Sequence, residues 1–165
     1  MTKISKNLKY LAVLLLCTLC VFIGAVTTHA TTYYVATTGN DAVTCATSTN
    51  ISTPRKTIQQ GLTCMTAGDT LYIRGGTYTG DIDSNAQTIP TGTSWTDAPL
   101  ISGYATETVT LNGNINPPAN SIQYVQFENL VLNGTYQNIG VGGTTHHIKF
   151  SNLEAKNGTH QYQRQ

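Results

Sequence analysis

Two seven-residue segments of this chain repeat each other at an offset of 23 residues. The segment YVQFENL (124–130) aligns with HIKFSNL (147–153), so that Phe127 matches Phe150 and apolar residues match apolar residues. Stacked β-strands of repeat proteins show this kind of self-similarity, because each unit packs on the next one. The offset narrows the folds open to the chain more than any other feature of its sequence.

Asn-Gly pairs mark the ends of these units. They stand at 112–113, 133–134 and 157–158, so that neighbouring pairs are 21 and 24 residues apart. Asparagine tolerates the left-handed backbone of a sharp turn, and stacked asparagines can share side-chain hydrogen bonds. The sequence has neither the dense leucine pattern of leucine-rich repeats nor the glycine-aspartate pattern of calcium-binding rolls. The repeats therefore predict an all-β solenoid of short stacked strands.

The N-terminus has the pattern of a secretory signal peptide over residues 1–30. Three lysines precede an apolar run from Leu11 to Val26, and Thr28 and Ala30 provide small residues for cleavage after Ala30. The alternative is a retained membrane anchor, but the run is near the lower length limit for spanning a bilayer. We therefore expect a protein that is secreted and stays extracellular or at the cell surface.

The charge of the processed chain argues against two classes of partner. Removing the three lysines of the signal leaves six basic and eight acidic residues, a net charge of −2. Nucleic acids and anionic membranes are bound through basic surfaces. We therefore expect no nucleic-acid partner, and no membrane association after signal cleavage.

Two cysteines, Cys45 and Cys64, remain after the signal. In an oxidising compartment they can form a disulfide that closes a loop of roughly 20 residues and contributes about 3 kcal/mol in the chain-entropy model. The alternative is a pair of buried thiols, and the disulfide is the favoured prediction. A zinc site is not expected, because the spacing of cysteines and histidines does not fit one.

Residues 31–69 form an N-terminal unit before the repeats. A short strand over 32–36 is followed by a loop, and Ser52 or Thr53 is predicted to cap a helix with Pro54 in its first turn. In that helix Ile58, Leu62 and Met65 lie on one apolar stripe. This amphipathic pattern predicts a helix that covers the core of the first repeat. The first strand of the main body is predicted to begin at Thr70.

Four segments between residues 32 and 158 occur in the order YYVATTGND, PRKTIQQGLTCMTAGDTLYIRGGTY, GTSWTDAPLISGYATETVTLNG and HHIKFSNLEAKNG. They resemble the N-terminal portion of right-handed parallel β-helix proteins of the pectate lyase-like superfamily. The resemblance implies an all-β, right-handed parallel β-helix, with the strand and capping helix of 31–69 at the start of the first coils (70–165). Because the last coil would lack a cap, we expect a chain truncated at its C-terminus.

The outward side chains of the two matched segments form the candidate substrate surface. If the matched apolar residues point inward, their neighbours point outward and stack on the next strand. The expected contacts are Tyr124 beside His147, Gln126 beside Lys149, and Glu128 beside Ser151. An aromatic face near a cation and a carboxylate suits a sugar chain. Tyr124, Glu128, His147 and Lys149 are therefore the predicted substrate-binding residues.

No catalytic residue and no metal ligand are assigned. The lyases that this chain resembles catalyse elimination on a uronate, a reaction that needs a base. Lys149 is the only lysine of this surface, but nothing in the sequence lowers its pKa. A solvated outer face is the favoured interpretation of Lys149 and His147. Asp81 and Asp83 follow a glycine turn, where a solvated turn is favoured over calcium ligands. No cofactor site is evident, and calcium enters only through the resemblance.

The resemblance implies an exported, carbohydrate-associated protein that acts on a polysaccharide and is similar to polysaccharide lyases or hydrolases. As an N-terminal fragment it would lack a complete active site, and whether it is an enzyme stays open. If it is one, the resemblance implies a lyase of uronate-containing glycans. The alternative is a non-catalytic cell-surface protein, namely a glycan-binding module, an adhesin or a structural solenoid.

Overall fold

A computed structural model describes residues 29–83, 89–116, 122–135, 138–140 and 142–158. The predicted signal peptide (1–30) therefore lies almost wholly outside the described residues. So does the end of the chain from residue 159 onward.

The described part of the chain contains short strands and little helix. In chain order the strands are β1 (Thr32–Val35), β2 (Thr70–Ile73), β3 (Gly76–Thr79), β4 (Ile82–Asp83), β5 (Leu100–Gly103), β6 (Val109–Asn112), β7 (Ile115–Asn116), β8 (Gln123–Leu132) and β9 (His146–Ala155). A 3-10 helix at Thr47–Thr49 and one α-helix, α1 (Ile58–Leu62), lie between β1 and β2.

The strands pair in parallel in two sheets. Seven of them form one sheet in the order β1-β2-β5-β8-β6-β3, with β9 paired to β8. β4 and β7 form a separate two-stranded sheet. β8 is ten residues long and pairs with β5 through its middle residues and with β6 through its last two. The long strands β8 and β9 pair over nearly their whole length.

The prediction of a right-handed parallel β-helix is wrong. The described strands form an open, mostly parallel sheet of seven strands with few helices, and the strand order is that of an α/β-like sheet rather than of a solenoid. The physical reason lies in β8. Because this single strand pairs with both β5 and β6, it joins two ladders into one sheet that does not close. The repeat offset determines which residues are neighbours on adjacent strands. It does not require the sheet to close into a solenoid.

The hydrophobic core lies against this sheet and under α1. Phe127 is fully buried and stacks on Phe150 of β9, with ring centroids 5.6 Å apart. The three residues of the predicted apolar stripe, Ile58, Leu62 and Met65, are all buried, but Met65 lies beyond the end of α1 at Leu62. The other core members come mainly from the strands: Val35, Leu71, Ile73, Tyr78, Ile82, Ile89, Ile101, Val109, Leu111, Ile115, Ile122, Val125, Leu130 and Leu132.

Helix α1 begins later than predicted. Its cap is Thr57, whose side chain accepts a hydrogen bond from the Gln60 amide, so Pro54 lies outside the helix. The Asp41 carboxylate fixes this start, because it accepts hydrogen bonds from the amides of Lys56 and Thr57 and from the Thr57 hydroxyl. A cap held by a residue about 15 positions away is not visible in the local pattern.

Gly61 explains how so short a helix packs tightly on the sheet. A Cβ atom at this position would lie 2.6 Å from Val35 Cγ2 and 2.9 Å from Leu71 Cδ1. Glycine costs a helix about 1 kcal/mol relative to alanine. Here that cost is offset by the close approach of α1 to β1 and β2.

The predicted disulfide between Cys45 and Cys64 is confirmed, and it ties the loop after β1 to the end of α1. Beside it lies Arg55, whose side chain is buried although it is charged. Its Nη1 donates to the Asp41 carbonyl and to Gln60 Oε1, and its Nη2 lies 3.6 Å from Cys45 Sγ. The guanidinium therefore fastens the loop to the helix from the inside.

Asparagine side chains form two ladders, one at the strand ends, where the Asn-Gly spacing predicts it, and one within β8 and β9. Asn133 Nδ2 donates to Asn112 Oδ1 at 2.8 Å, and Asn157 Nδ2 donates to Asn133 Oδ1 at 2.7 Å. In the second ladder Asn152 Nδ2 donates to Asn129 Oδ1 at 2.8 Å. Asn129 and Asn152 have φ angles of 57° and 49°, in the left-handed region that asparagine tolerates.

Candidate functional site

The candidate site lies on the outer face of β8 and β9. The strands pair with Gln126 opposite Lys149 and Glu128 opposite Ser151, which confirms the register predicted from the 23-residue offset. Between the register pairs Gln123–His146 and Val125–Ile148 lie Tyr124 and His147, at equivalent positions. All four predicted substrate-binding residues are thus brought onto adjacent strands.

Tyr124 and His147 form the centre of an aromatic cluster. Their rings stack with centroids 4.5 Å apart and an interplanar angle of 19°. Trp95 packs its ring edgewise on Tyr124 at 5.4 Å and lies 6.3 Å from His147. Trp95 is 47% exposed, more than any other large hydrophobic side chain of the described residues. We call Trp95, Tyr124 and His147 the exposed cluster.

The backbone of Tyr124 and His147 departs from regular strand geometry. Their φ angles are 51° and 56°, a left-handed conformation that costs a non-glycine residue about 1 kcal/mol or more. In a regular strand consecutive side chains point to opposite faces. At His147 the irregularity leaves both it and its neighbour His146 exposed. The left-handed backbone at His147 thereby adds the exposed imidazole ring of His146 to the site.

Trp95 lies in a turn that hydrogen bonds to the Asp97 side chain hold in shape. The Asp97 carboxylate accepts hydrogen bonds from the backbone amides and the hydroxyls of both Thr93 and Ser94. These bonds, led by the one from the Thr93 amide, hold the pKa of Asp97 far below its usual range. The carboxylate therefore stays ionised and keeps the turn closed in moderately acidic solution.

Polar groups border the exposed cluster along the same strands. Lys149 Nζ lies 3.1 Å from Glu128 Oε1 and 3.3 Å from Gln126 Oε1. Ser151 Oγ donates to the same Glu128 oxygen at 3.1 Å. The lysine side chain is 52% exposed and the glutamate 24%. The surface thus offers an ammonium, a carboxylate and an amide that already contact one another.

Sequence reasoning missed Trp95. It is the only tryptophan of the chain and stands in the polar segment GTSWTDAP, between turn-forming residues. A large aromatic residue in a polar turn has no core to enter, and this signal could have identified it. Its contact with Tyr124 depends on the way the turn before β5 folds back over β8.

A second aromatic group lies nearer the start of the sheet. Tyr34 of β1 and Tyr72 of β2 are register partners with rings 6.1 Å apart, and Tyr104, just after β5, packs edgewise on both. We call these three residues the closed cluster. The Arg74 guanidinium lies over the Tyr104 ring, 5.1 Å from its centroid. Its Nε and Nη2 bind Glu107 through contacts of 2.7–2.9 Å.

Arg74 and Glu107, the charged residues beside the closed cluster, are bound to each other. Glu107 also accepts a hydrogen bond from the Gly75 amide at 2.5 Å. The Arg74 hydrogen bonds, followed by the one from Gly75, lower the pKa of Glu107. Arg74 therefore flanks the end of β2 in an ion pair with Glu107.

A separate cleft of about 230 Å³ lies between α1 and β3 and shares no residue with either cluster. Its lining is rich in hydroxyl groups and comprises Thr37, Lys56, Thr57, Ile58, Gln59, Thr77, Tyr78 and Thr79. The hydroxyl of Thr57 is held by Asp41, and the amide of Gln59 by the Asp81 carbonyl. Two of its polar groups thus serve the packing of α1.

Two absences concern the described residues alone. Within these ranges, no three or more His, Cys, Asp or Glu residues gather in a group that could hold a metal ion. Asp81 contacts the amide and the side chain of Asn114, whereas the side chain of Asp83 lies outside the described part. Over the same ranges, the structure has no helix long and apolar enough to cross a membrane.

Comparison with known protein families, with curated proteins and with solved structures finds no match. The resemblance to the pectate lyase-like superfamily therefore stays a prediction.

Proposed function

We propose that this chain is an exported, non-catalytic glycan-binding protein, and that its ligand binds on the exposed cluster. The observation that carries this proposal is the exposure of Trp95 beside the stacked pair Tyr124–His147. An exposed tryptophan held in a fixed orientation is a common feature of binding surfaces, because burying it on contact releases much water at little entropic cost.

The chemistry of the surface suits a polysaccharide. A pyranose ring has a face of C–H groups that packs on an aromatic ring, and its hydroxyls point outward at the edge. Next to the exposed cluster, Gln126, Glu128 and Lys149 can accept or donate hydrogen bonds to such hydroxyls. The Lys149 ammonium can also pair with the carboxylate of a uronate. Neutral and uronate-containing chains are both candidate ligands.

The geometry favours binding over elimination. A lyase needs a base free to take a proton, and the Lys149 ammonium is already paired with Glu128 and Gln126. Glu128 in turn is occupied by Lys149 and Ser151. Neither group is set apart to act on a substrate proton. The non-catalytic alternative is therefore the better supported of the two predicted functions.

The Cys45–Cys64 disulfide supports the exported location. Disulfides form and persist in oxidising compartments, whereas cytosolic thiols are kept reduced. This argument is independent of the signal-peptide pattern at the N-terminus, and both indicate the same compartment.

The test is calorimetric titration of the protein with a panel of neutral and uronate polysaccharides. We expect Trp95→Ala to weaken binding by roughly tenfold or more, and Trp95→Phe to retain part of the affinity. The matched control is Thr77→Ala, an exposed position on the edge strand β3. Equal affinity of Trp95→Ala and the native protein would contradict the proposal.

The same samples test the catalytic alternative. Incubation with uronate polymers, with and without calcium, is followed by the ultraviolet absorbance of the unsaturated product. We expect no increase. An increase that disappears in Lys149→Ala would replace the binding function with a lyase activity.

A further inference from the structure

His146 and His147 are consecutive residues whose rings nevertheless meet. In a regular strand their side chains would point to opposite faces. Because His147 has a φ angle of 56°, the two rings lie on the same side, with centroids 4.8 Å apart and planes at 82°. The Nδ1 atoms of the two rings are 2.6 Å apart, and both side chains are exposed.

This arrangement brings two lone-pair donors to one point in solvent. In the hydrogen-bonded form one Nδ1 carries a proton and the other accepts it. A metal ion can bind both nitrogens once that proton is released to water and the rings turn their lone pairs toward the ion, since neutral imidazole is a common metal ligand. Backbone strain that brings functional groups together is a reason to look for such a role.

The nitrogen separation indicates which ions fit. At a metal–nitrogen bond of about 2.05 Å, ligands at right angles are about 2.9 Å apart, and tetrahedral ligands about 3.3 Å. The observed 2.6 Å is the spacing of a hydrogen-bonded pair, and of the two arrangements right-angled ligation requires the smaller separation of the rings. Right-angled nitrogen ligands are the preference of copper(II) and nickel(II), and copper(II) binds such sites most tightly. We propose that the His146–His147 pair is a surface site for a divalent transition metal of tetragonal geometry, with copper(II) as the preferred ion.

The surroundings hold one ring in place and leave the site open. His147 is stacked on Tyr124 at 4.5 Å, which restricts its ring. The nearest cation along β9, Lys149, is paired with Glu128, so its charge is largely compensated. Since the described residues add no third ligand, water completes the coordination, and the ion exchanges readily. The site does not depend on glycan binding.

Trp95 provides the readout. It is the only tryptophan of the chain, and its ring lies 6.3 Å from His147. A paramagnetic copper(II) ion bound at the pair would quench its fluorescence strongly. The experiment titrates the full chain with copper(II) alone in a buffer that does not chelate metals. Electron paramagnetic resonance of the loaded protein reports the ligand set.

We expect a saturable quench and a tetragonal copper spectrum with nitrogen ligands. Because a two-ligand site becomes a one-ligand site, His146→Gln and His147→Gln should each weaken binding by roughly tenfold. The matched control is His160→Gln, which removes a histidine outside the pair, 13 residues after His147 in the sequence, and should leave the titration unchanged. Circular dichroism and thermal melting check that each variant is folded, and His146→Gln leaves the Tyr124–His147 stack in place.

Two results would overturn the inference. One is the absence of any quench in the native protein. The other is an unchanged titration midpoint in both folded variants, which would assign the copper ion to another part of the chain. Neither result bears on the glycan titrations, which are performed without metal.

Discussion

The closed cluster and the exposed cluster both place aromatic rings on adjacent parallel strands. Tyr34 and Tyr72 are register partners on β1 and β2, and Tyr124 and His147 occupy equivalent positions on β8 and β9. In each case a third aromatic ring packs edgewise, and a carboxylate with a lowered pKa holds the neighbouring loop. The two clusters thus share a stacked pair of rings, a third ring packed edgewise and a carboxylate that holds the adjacent loop.

They differ in what is left for a ligand. In the closed cluster the Arg74 guanidinium covers the Tyr104 ring and is bound by Glu107. In the exposed cluster nearly half of the Trp95 surface faces solvent. Stacked aromatic residues follow directly from a parallel register and stabilise the sheet. Their presence alone does not indicate a binding site. A stacked aromatic group can bind a ligand only where no other side chain covers it.

The largest effect that separates the clusters should come from Tyr72→Ala. Tyr72 packs against both Tyr34 and Tyr104, so removing its ring should lower the free energy of unfolding by about 2 kcal/mol. Glycan affinity should be unchanged. Denaturant unfolding and calorimetric titration measure the two quantities, with Tyr72→Phe as the control that keeps the ring. A loss of affinity with unchanged stability would remove the distinction between the clusters.

A second prediction compares glycine with alanine at both sites. Tyr124 has a left-handed backbone, so Tyr124→Gly should be more stable than Tyr124→Ala by about 1 kcal/mol. At Tyr72, inside a regular strand, the order should be reversed by a similar amount. Denaturant unfolding of the four variants decides this. If the glycine and alanine variants had the same order of stability at both positions, backbone strain would not distinguish the exposed cluster from the closed cluster.

The pH dependence of stability should reflect Glu107. Its folded pKa is lowered by Arg74, so its stabilising contribution is complete above the ordinary glutamate pKa and is lost as pH falls through the lowered value. Glu107→Gln should therefore reduce stability at neutral pH and have a decreasing effect towards acid. The contact is partly exposed, so the effect should be smaller than that of Tyr72→Ala. A pH-independent difference between the proteins would contradict this account.

The smallest predicted effect concerns Glu128. Replacing it with glutamine frees the Lys149 ammonium, which should raise affinity for uronate chains by about twofold to threefold and leave neutral chains unaffected. Titration with matched neutral and acidic oligosaccharides measures this. An equal change for both ligand types would show that Lys149 does not contact the sugar carboxylate.

Much of the local structure was predictable because it depends on periodicity. The 23-residue offset predicted the register of β8 and β9, and the Asn-Gly spacing predicted the ladder through Asn133. The disulfide and the apolar face of α1 were predicted from composition and spacing in the same way. In each case the spacing of residues along the sequence determines which residues become partners.

The failures concern contacts that the local sequence does not encode. The fold class was wrong because a repeat specifies neighbours, whereas sheet closure depends on how β8 joins the ladders of β5 and β6. The helix start was wrong because Asp41 selects Thr57 as the cap. Trp95 was missed because its partner Tyr124 lies on another strand, and only the folded turn brings them together.

The asparagine ladder also influences how this protein ages chemically. In an Asn-Gly pair the glycine backbone nitrogen can attack the asparagine side-chain carbonyl and expel ammonia, and water then opens the cyclic imide to a carboxylate. Asn133 donates to Asn112 and accepts from Asn157, so its conversion would remove one donor and set a negative charge against the Asn112 oxygen. A single spontaneous reaction would weaken the ends of β6, β8 and β9 together. The hydrogen bonds that immobilise this amide therefore also protect it.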